Sequence, residues 1–204
     1  MFVRTVYATG DPARLGPTLD GLRAESVGLL SGQPGYRGYG LFANRELGII
    51  TMGSWWDSEQ AERDSEERLS GRRAELLAPF GGTVTRSRWE AVVAARPARA
   101  GEGAWFRLTT FDLRRAEADR VAAAFREGAL PAMRSLDGFL GGSMLLSAED
   151  ERGAVGLLFA DEAALVASRG PVAQARAKAV AEGGASLRSL EEFEAVLLDL
   201  PGRP

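Results

Sequence analysis

Few side chains in this sequence combine a reactive type with a telling position. Trp55 and Trp56 close an apolar run (residues 48–62 read GIITMGSWWDSEQAE) at the point where a strand hands over to a helix. Being adjacent, they point to opposite sides while the strand lasts. One turns under the helix, as core or as the wall of a cavity, and the other lies at a seam. A buried indole needs an acceptor for its N–H, and Glu62 or a water is placed to serve. Tyr36 and Tyr39 flank Gly38; three apart, they are expected on opposite faces, which leaves Tyr39 as the candidate hydrogen-bond donor to a ligand. Arg4 and Arg107 stand on the first strands of two similar segments, Glu90 and Glu194 on their last. A cross-strand Arg–Glu pair in each segment is the structural reading; two guanidinium groups facing an acidic ligand is the functional one. Arg86 and Arg88 are further candidates for an acidic group. Acid–base catalysis would need a buried carboxylate with a raised pKa, and Glu62, Glu90 and Glu194 are the candidates.

Composition removes much other chemistry. The 204 residues contain neither cysteine nor histidine. That excludes disulfides, thiol nucleophiles, thiolate or histidine metal sites, histidine-ligated haem and a Ser-His triad. A net charge of −3 speaks against a nucleic-acid surface. The basic residues are arginine except for Lys178, which reads as a coding bias rather than phosphate recognition. No apolar run approaches the roughly 18 residues of a membrane span, and the N-terminus enters a strand-like alternation without a signal-peptide pattern. The expectation is a cytoplasmic protein with no membrane and no nucleic-acid partner.

The elements that must position these residues come in two copies. Phe2-Val3-Arg4 faces Trp105-Phe106-Arg107, Gly35-Tyr36-Arg37-Gly38 faces Gly138-Phe139-Leu140-Gly141, and Ser58-Glu59-Gln60-Ala61 faces Asp161-Glu162-Ala163-Ala164, each 103 residues apart; Trp89-Glu90-Ala91-Val92 faces Phe193-Glu194-Ala195-Val196 at 104. Four matches in register mean a duplicated unit. In the first copy, alternation at 2–9, a helix opened by Asp11-Pro12 with Leu15, Leu19, Leu22 and Leu29 on one face, strands at 36–43 and 47–55, a charged helix from Ser58 to about Leu77 capped by Asp57 with Gln60, and a strand at 83–93 give βαββαβ. The second copy repeats it, with a strand at 104–112, helices at 114–135 and 161–182, strands at 139–147 and 153–159, and a last strand near 191–199. The sign-alternating run from Asp57 to Arg73 reads as a solvated helix face.

A βαββαβ unit places two helices on one face of a four-stranded sheet and leaves an apolar face to cover. The expected fold is therefore α+β: two tandem ferredoxin-like βαββαβ repeats packed sheet-to-sheet as an intrachain dimeric α+β barrel. Residues 1–95 and 104–204 form the repeats and 96–103 the linker. Such a pseudo-dimer needs no second chain, though an exposed edge leaves room for further self-association.

After a strand in such a unit, Trp56-Asp57-Ser58-Glu59-Gln60-Ala61 resembles the motif of the antibiotic biosynthesis monooxygenase family. The resemblance implies an α+β barrel and, in some members, cofactor-free oxidation of aromatic polyketides in a pocket between sheet and helices. It places Trp56 at the family's pocket tryptophan. The pocket asparagine corresponds to Met52 and the tyrosine to Glu62, so two polar contacts are replaced. The second copy has Phe159 in place of the tryptophan. Together these readings predict a small hydrophobic or aromatic ligand bound without a cofactor by Trp56, Met52, Tyr39 and Glu62, with an arginine such as Arg86 for an acidic group. The alternatives are a non-catalytic small-molecule-binding or interaction module, and an acid–base cyclase or isomerase.

Overall fold

The structure, a computed structural model, describes residues 1–95, 103–147 and 149–200, except the side chains of 178, 179, 182 and 183. The expected linker at 96–103 lies outside the described residues apart from Gly103. Two compact units divide the chain: residues 1–89 with the segment from Ala195 onward, and residues 90–194.

The first unit starts with β1 (Phe2–Thr9), α1 (Pro12–Ser31), β2 (Tyr36–Asn44), β3 (Ile49–Trp56) and α2 (Glu59–Leu77), and includes the first part of β4 (Thr83–Ala95). Asp11 caps α1 by accepting from the Ala13 N–H at 2.9 Å, and Pro12 fills the first helical position, where no amide hydrogen is needed. Leu15, Leu19, Leu22 and Leu30 bury the inner stripe of α1. The cap of α2 is Ser58 rather than the expected Asp57: Ser58 Oγ accepts from the Ala61 N–H at 3.1 Å. Asp57 is instead engaged by the Arg37 guanidinium, and its own N–H bonds to the Gly35 carbonyl.

The second unit takes in the rest of β4, β5 (Trp105–Asp112), α3 (Ala118–Ala124), α4 (Leu130–Arg134), β6 (Phe139–Ser147), β7 (Arg152–Phe159), α5 (Glu162–Ala167), α6 (Arg169–Gly183) and the start of β8 (Ser186–Asp199). Its helices are more broken than the periodicity predicts. A five-residue π-helical stretch, Phe125–Ala129, separates α3 from α4, next to Pro131, which has no N–H for the helical ladder. The helix expected at 161–182 is interrupted at Ser168, between α5 and α6. The last strand starts at Ser186, earlier than expected.

In the first unit β3 pairs antiparallel with β1 and β2; in the second, β7 pairs antiparallel with β5 and β6, and β8 with the other edge of β5. The fold is thus α+β with two ferredoxin-like βαββαβ repeats of antiparallel strands. Registers recur between repeats: Tyr36 faces Trp56 as Phe139 faces Phe159, and both ladders slip by one residue at the next position, between Tyr36 and Gly38 and between Phe139 and Gly141. The first unit's core gathers Trp56, Leu41, Ile50 and Phe80 under α1 and α2. The second gathers Phe159, Met144, Leu157 and Leu165.

Candidate binding site of the first repeat

Arg4 is the organising charge. It occupies the same face of β1 as Val6 and Ala8 and is buried to 3% exposure. A guanidinium there is tolerable only with partners for its donors. One terminal nitrogen donates to Ser65 Oγ (2.8 Å), the Glu62 carbonyl (3.2 Å) and Glu62 Oε1 (3.3 Å), and lies 3.2 Å from Glu66 Oε2. The group also sits over the Trp56 ring, 5.3 Å from its centre. Burial lowers the pKa of Arg4, and the charges of Glu66 and Glu62 oppose that.

The partners come from the helix read as a solvated face. Glu62 and Ser65 are buried, and Glu66 is 12% exposed. Arg73 grips Glu66 with two bonds of 2.6 and 2.8 Å, Arg86 bonds to the same carboxylate, and Arg88 lies 3.4 Å from Glu62. Burial works to raise the pKa of Glu66, but the bonds and charge of Arg73 and the charge of Arg4 prevail and hold it at about 2. These pairs join four guanidinium groups to two carboxylates.

Beside this network lies a cavity of about 50 Å³ between the sheet and the two helices. Among the described residues, both charged groups in its wall are guanidiniums, Arg4 and Arg73, and no carboxylate lines it. Ser26 of α1, Ser54 of β3 and Tyr39 of β2 add hydroxyls, while Met52 and leucines of both helices supply the apolar remainder. Tyr39 Oη is buried without a hydrogen bond of good geometry among the described residues. Burial pushes this phenol up to about 12, a rise that the neighbouring Ser26 hydroxyl tempers. At neutral pH Tyr39 is therefore a donor in search of an acceptor.

The sequence-derived candidates separate into two groups. Met52 and Tyr39 line the cavity. Trp56, Glu62 and Arg86 stand in the layer around it: Trp56 is fully buried beneath Arg4, Glu62 holds Arg4, and Arg86 holds Glu66. The indole N–H donates to Ser54 Oγ at 3.0 Å, not to Glu62. Tyr36 and Tyr39 share a face despite their odd spacing, because the slip before Gly38 restores parity and sets them opposite Trp56 and Ser54. The expected Arg107–Glu194 pair is corrected by one pleat: Glu192 faces Arg107 across the strands and bonds to it at 2.7 Å. Arg4 finds its carboxylates on α2 rather than at Glu90, which is exposed. Ser26, Ser54 and Arg73 were not foreseen. The one signal for them was Arg4 itself, a charge in the inward register of an apolar strand.

No family model matches the chain. Two uncharacterized proteins of Mycobacterium tuberculosis are each 28% identical to it, one over 84% of this chain and 76% of the relative, the other over 80% and 70%. Among solved structures, an anthrone oxidase-like protein superposes with a TM-score of 0.70 at 15% identity, covering 98% of this chain and 93% of the other. A Listeria monocytogenes ferredoxin-fold protein related to antibiotic biosynthesis monooxygenases gives 0.56 at 9% identity, with 96% and 94% covered. A haem-degrading enzyme from the same organism gives 0.53 at 8%, with 94% and 98% covered. This chain thus shares the fold of the antibiotic biosynthesis monooxygenase-related proteins. Among the described residues, no helix is long and apolar enough to cross a membrane.

Proposed function

We propose that the first repeat binds a small aromatic molecule with an acidic hydroxyl or enol and promotes its oxidation by O2 without a bound cofactor. The observation that carries this reading is the pairing of Arg4 and Arg73 as the charged walls of a cavity otherwise lined by hydroxyls and apolar side chains, with Tyr39 Oη buried and seeking an acceptor. Such a wall favours the ligand's anion over its neutral form, and a carbanion or phenolate is the species electron-rich enough to reduce O2. For an anthrone the reaction balances as anthrone plus O2 giving anthraquinone plus water. The ring CH2 loses a proton to solvent, the anion passes one electron to O2, and the radicals combine to a peroxide. Loss of water from that peroxide leaves the carbonyl. The likeness in fold to an anthrone oxidase-like protein makes anthrone the first substrate to try.

The cavity is smaller than typical ligand pockets of about 300–1,000 Å³, so binding requires α1 and α2 to part at the half-buried Leu29, Leu69 and Leu76. In this reading the two repeats, residues 1–95 and 104–204, form a pseudo-dimer within one cytoplasmic chain. The test is O2 uptake with anthrone, comparing wild type with Arg73→Met and Tyr39→Phe. A rate above the uncatalysed one that falls at least about tenfold in Arg73→Met supports oxidation. A rate equal to buffer in every sample ends it.

A second reading, a non-catalytic binding module, is favoured by Met52, whose thioether donates no hydrogen bond where a peroxide would need one. Calorimetric binding of anthrone or its quinone without O2 uptake would select it.

A further inference from the structure

The second repeat has a cavity of its own, of about 80 Å³, built from the positions that line the first. At the constant spacing of 103, Ser26 becomes Ala129, Ser54 becomes Leu157 and Met52 becomes Val155, all wall residues. Tyr39 corresponds to Gly142, which removes the phenol. Arg107, the counterpart of Arg4, is drawn away to Glu192, Ser168 and the Leu165 carbonyl and does not line the cavity. Carbon has replaced nearly every polar wall group of the first site.

One charge remains. Arg176 lines this cavity as Arg73 lines the other. Arg73 is held by Glu66, but the residue corresponding to Glu66 is Arg169, which is itself committed to Glu192 at 2.6 Å. Arg176 has thus lost its carboxylate, and among the described residues nothing replaces it. It shares the wall with Leu187, which is 49% exposed and marks the mouth. The π-helical stretch Phe125–Ala129 presents both its first and last residues to the cavity, a helix irregularity that often accompanies binding sites.

We propose that the second cavity binds an aliphatic monocarboxylate, with its chain among Phe125, Met133, Met144 and Val155 and its carboxylate on Arg176. Thr109 is the wall's remaining hydroxyl side chain, so a ligand body with polar substituents would lose hydration without compensation, whereas a hydrocarbon chain loses nothing. A guanidinium in the wall selects the acid head by charge-assisted bonds. This inference stands apart from the reading of the first cavity.

The methionines separate the two sites. Met52 lines the first cavity, and Met133 and Met144 line the second. Octanoate, titrated below its micelle concentration into protein with labelled methionine methyls, is expected to shift the Met133 and Met144 signals and leave Met52 in place. Arg176→Gln should weaken octanoate at least about tenfold and leave 1-octanol unchanged. Ala129→Leu, which fills the second cavity, should abolish octanoate binding, and Ser26→Leu in the first should not. The proposal is overturned if octanoate shifts neither signal, if Met52 moves instead, if octanol binds wild type as tightly as octanoate, or if either second-cavity variant binds like wild type.

Discussion

Glu66 and Arg169 occupy the same helical position of the two repeats and carry opposite charge. The neighbouring strand position compensates: Arg88 of the first repeat corresponds to Glu192 of the second. In both repeats a buried arginine on the first strand therefore meets acid, but the helix supplies it in the first, as Glu62 and Glu66, and the strand in the second, as Glu192, which Arg169 shares. Such a swap is what electrostatic complementarity permits when the buried charge is fixed. Glu66→Arg alone sets a guanidinium beside Arg4 and should cost about 3 kcal/mol. Adding Arg88→Glu recreates the arrangement of the second repeat and should recover at least about 1 kcal/mol of that loss. A double-mutant cycle by urea unfolding measures it; simple additivity would contradict the shared design.

Acid should probe the same network. Glu66 has a folded pKa of about 2 against an ordinary 4.5. Because the folded value is depressed, its contribution to stability is fully present above pH 4.5 and is lost as pH falls from there towards 2. The contribution is on the order of 2 kcal/mol. Urea midpoints at pH 7, 4.5 and 3 should therefore fall more steeply for wild type than for Glu66→Gln below pH 4.5, and the difference between the two proteins should narrow. Parallel curves would refute the assignment.

Trp56 is set by packing. It meets Tyr36 edge-to-face, with ring centres 5.9 Å apart and planes at 72°, and Phe159 meets Phe139 with the same separation and angle. The second repeat thus already shows that phenylalanine fits the position beneath a buried arginine, 5.6 Å from Arg107. Trp56→Phe should cost about 1.5 kcal/mol, leaving Ser54 without its indole donor, whereas Trp56→Ala should cost about 4 kcal/mol through the cavity it opens. Thermal and urea unfolding of the two variants distinguish this from a role in ligand contact, which would make their effects on anthrone binding equal.

The duplication was legible because the repeated positions are the ones with no freedom: the glycine before β2, the helix start after β3, the arginine on the first strand. The inward side of α2 was not. Two of its three buried residues, Glu62 and Ser65, are polar, so hydrophobic periodicity cannot find them, and a helix that packs through ion pairs reads like one that faces water. The face of Tyr39 was hidden by the one-residue slip at Gly38, which inverts the parity of everything before it. The break at Phe125–Ala129 was signalled by Pro131, but a proline shows only where a helix is disturbed, not that it widens to the π form.

The tightest duplicated feature is the turn that enters β2. Gly35 and Gly138 adopt φ of +77° and +73°, and a Cβ on them would lie 2.7 Å from Ala61 Cβ and 2.5 Å from Ala164 Cβ. Each glycine carbonyl accepts the N–H of the residue just after the third strand of its repeat, Asp57 at 2.9 Å and Ala160 at 2.7 Å. The turn is thereby clamped against the start of the following helix, which carries the partners of the buried arginine. Two costs add on substitution: the left-handed backbone, about 1–2 kcal/mol for a residue with a Cβ, and the overlap with the helix, about 1–3 kcal/mol. Gly35→Ala should therefore destabilise by about 3 kcal/mol. Ala61→Gly in the same chain removes the overlap but not the backbone strain, so the double variant should regain about half of the loss measured against Ala61→Gly alone. Full recovery would show that the backbone conformation costs nothing, and no recovery that the helix does not press on the turn.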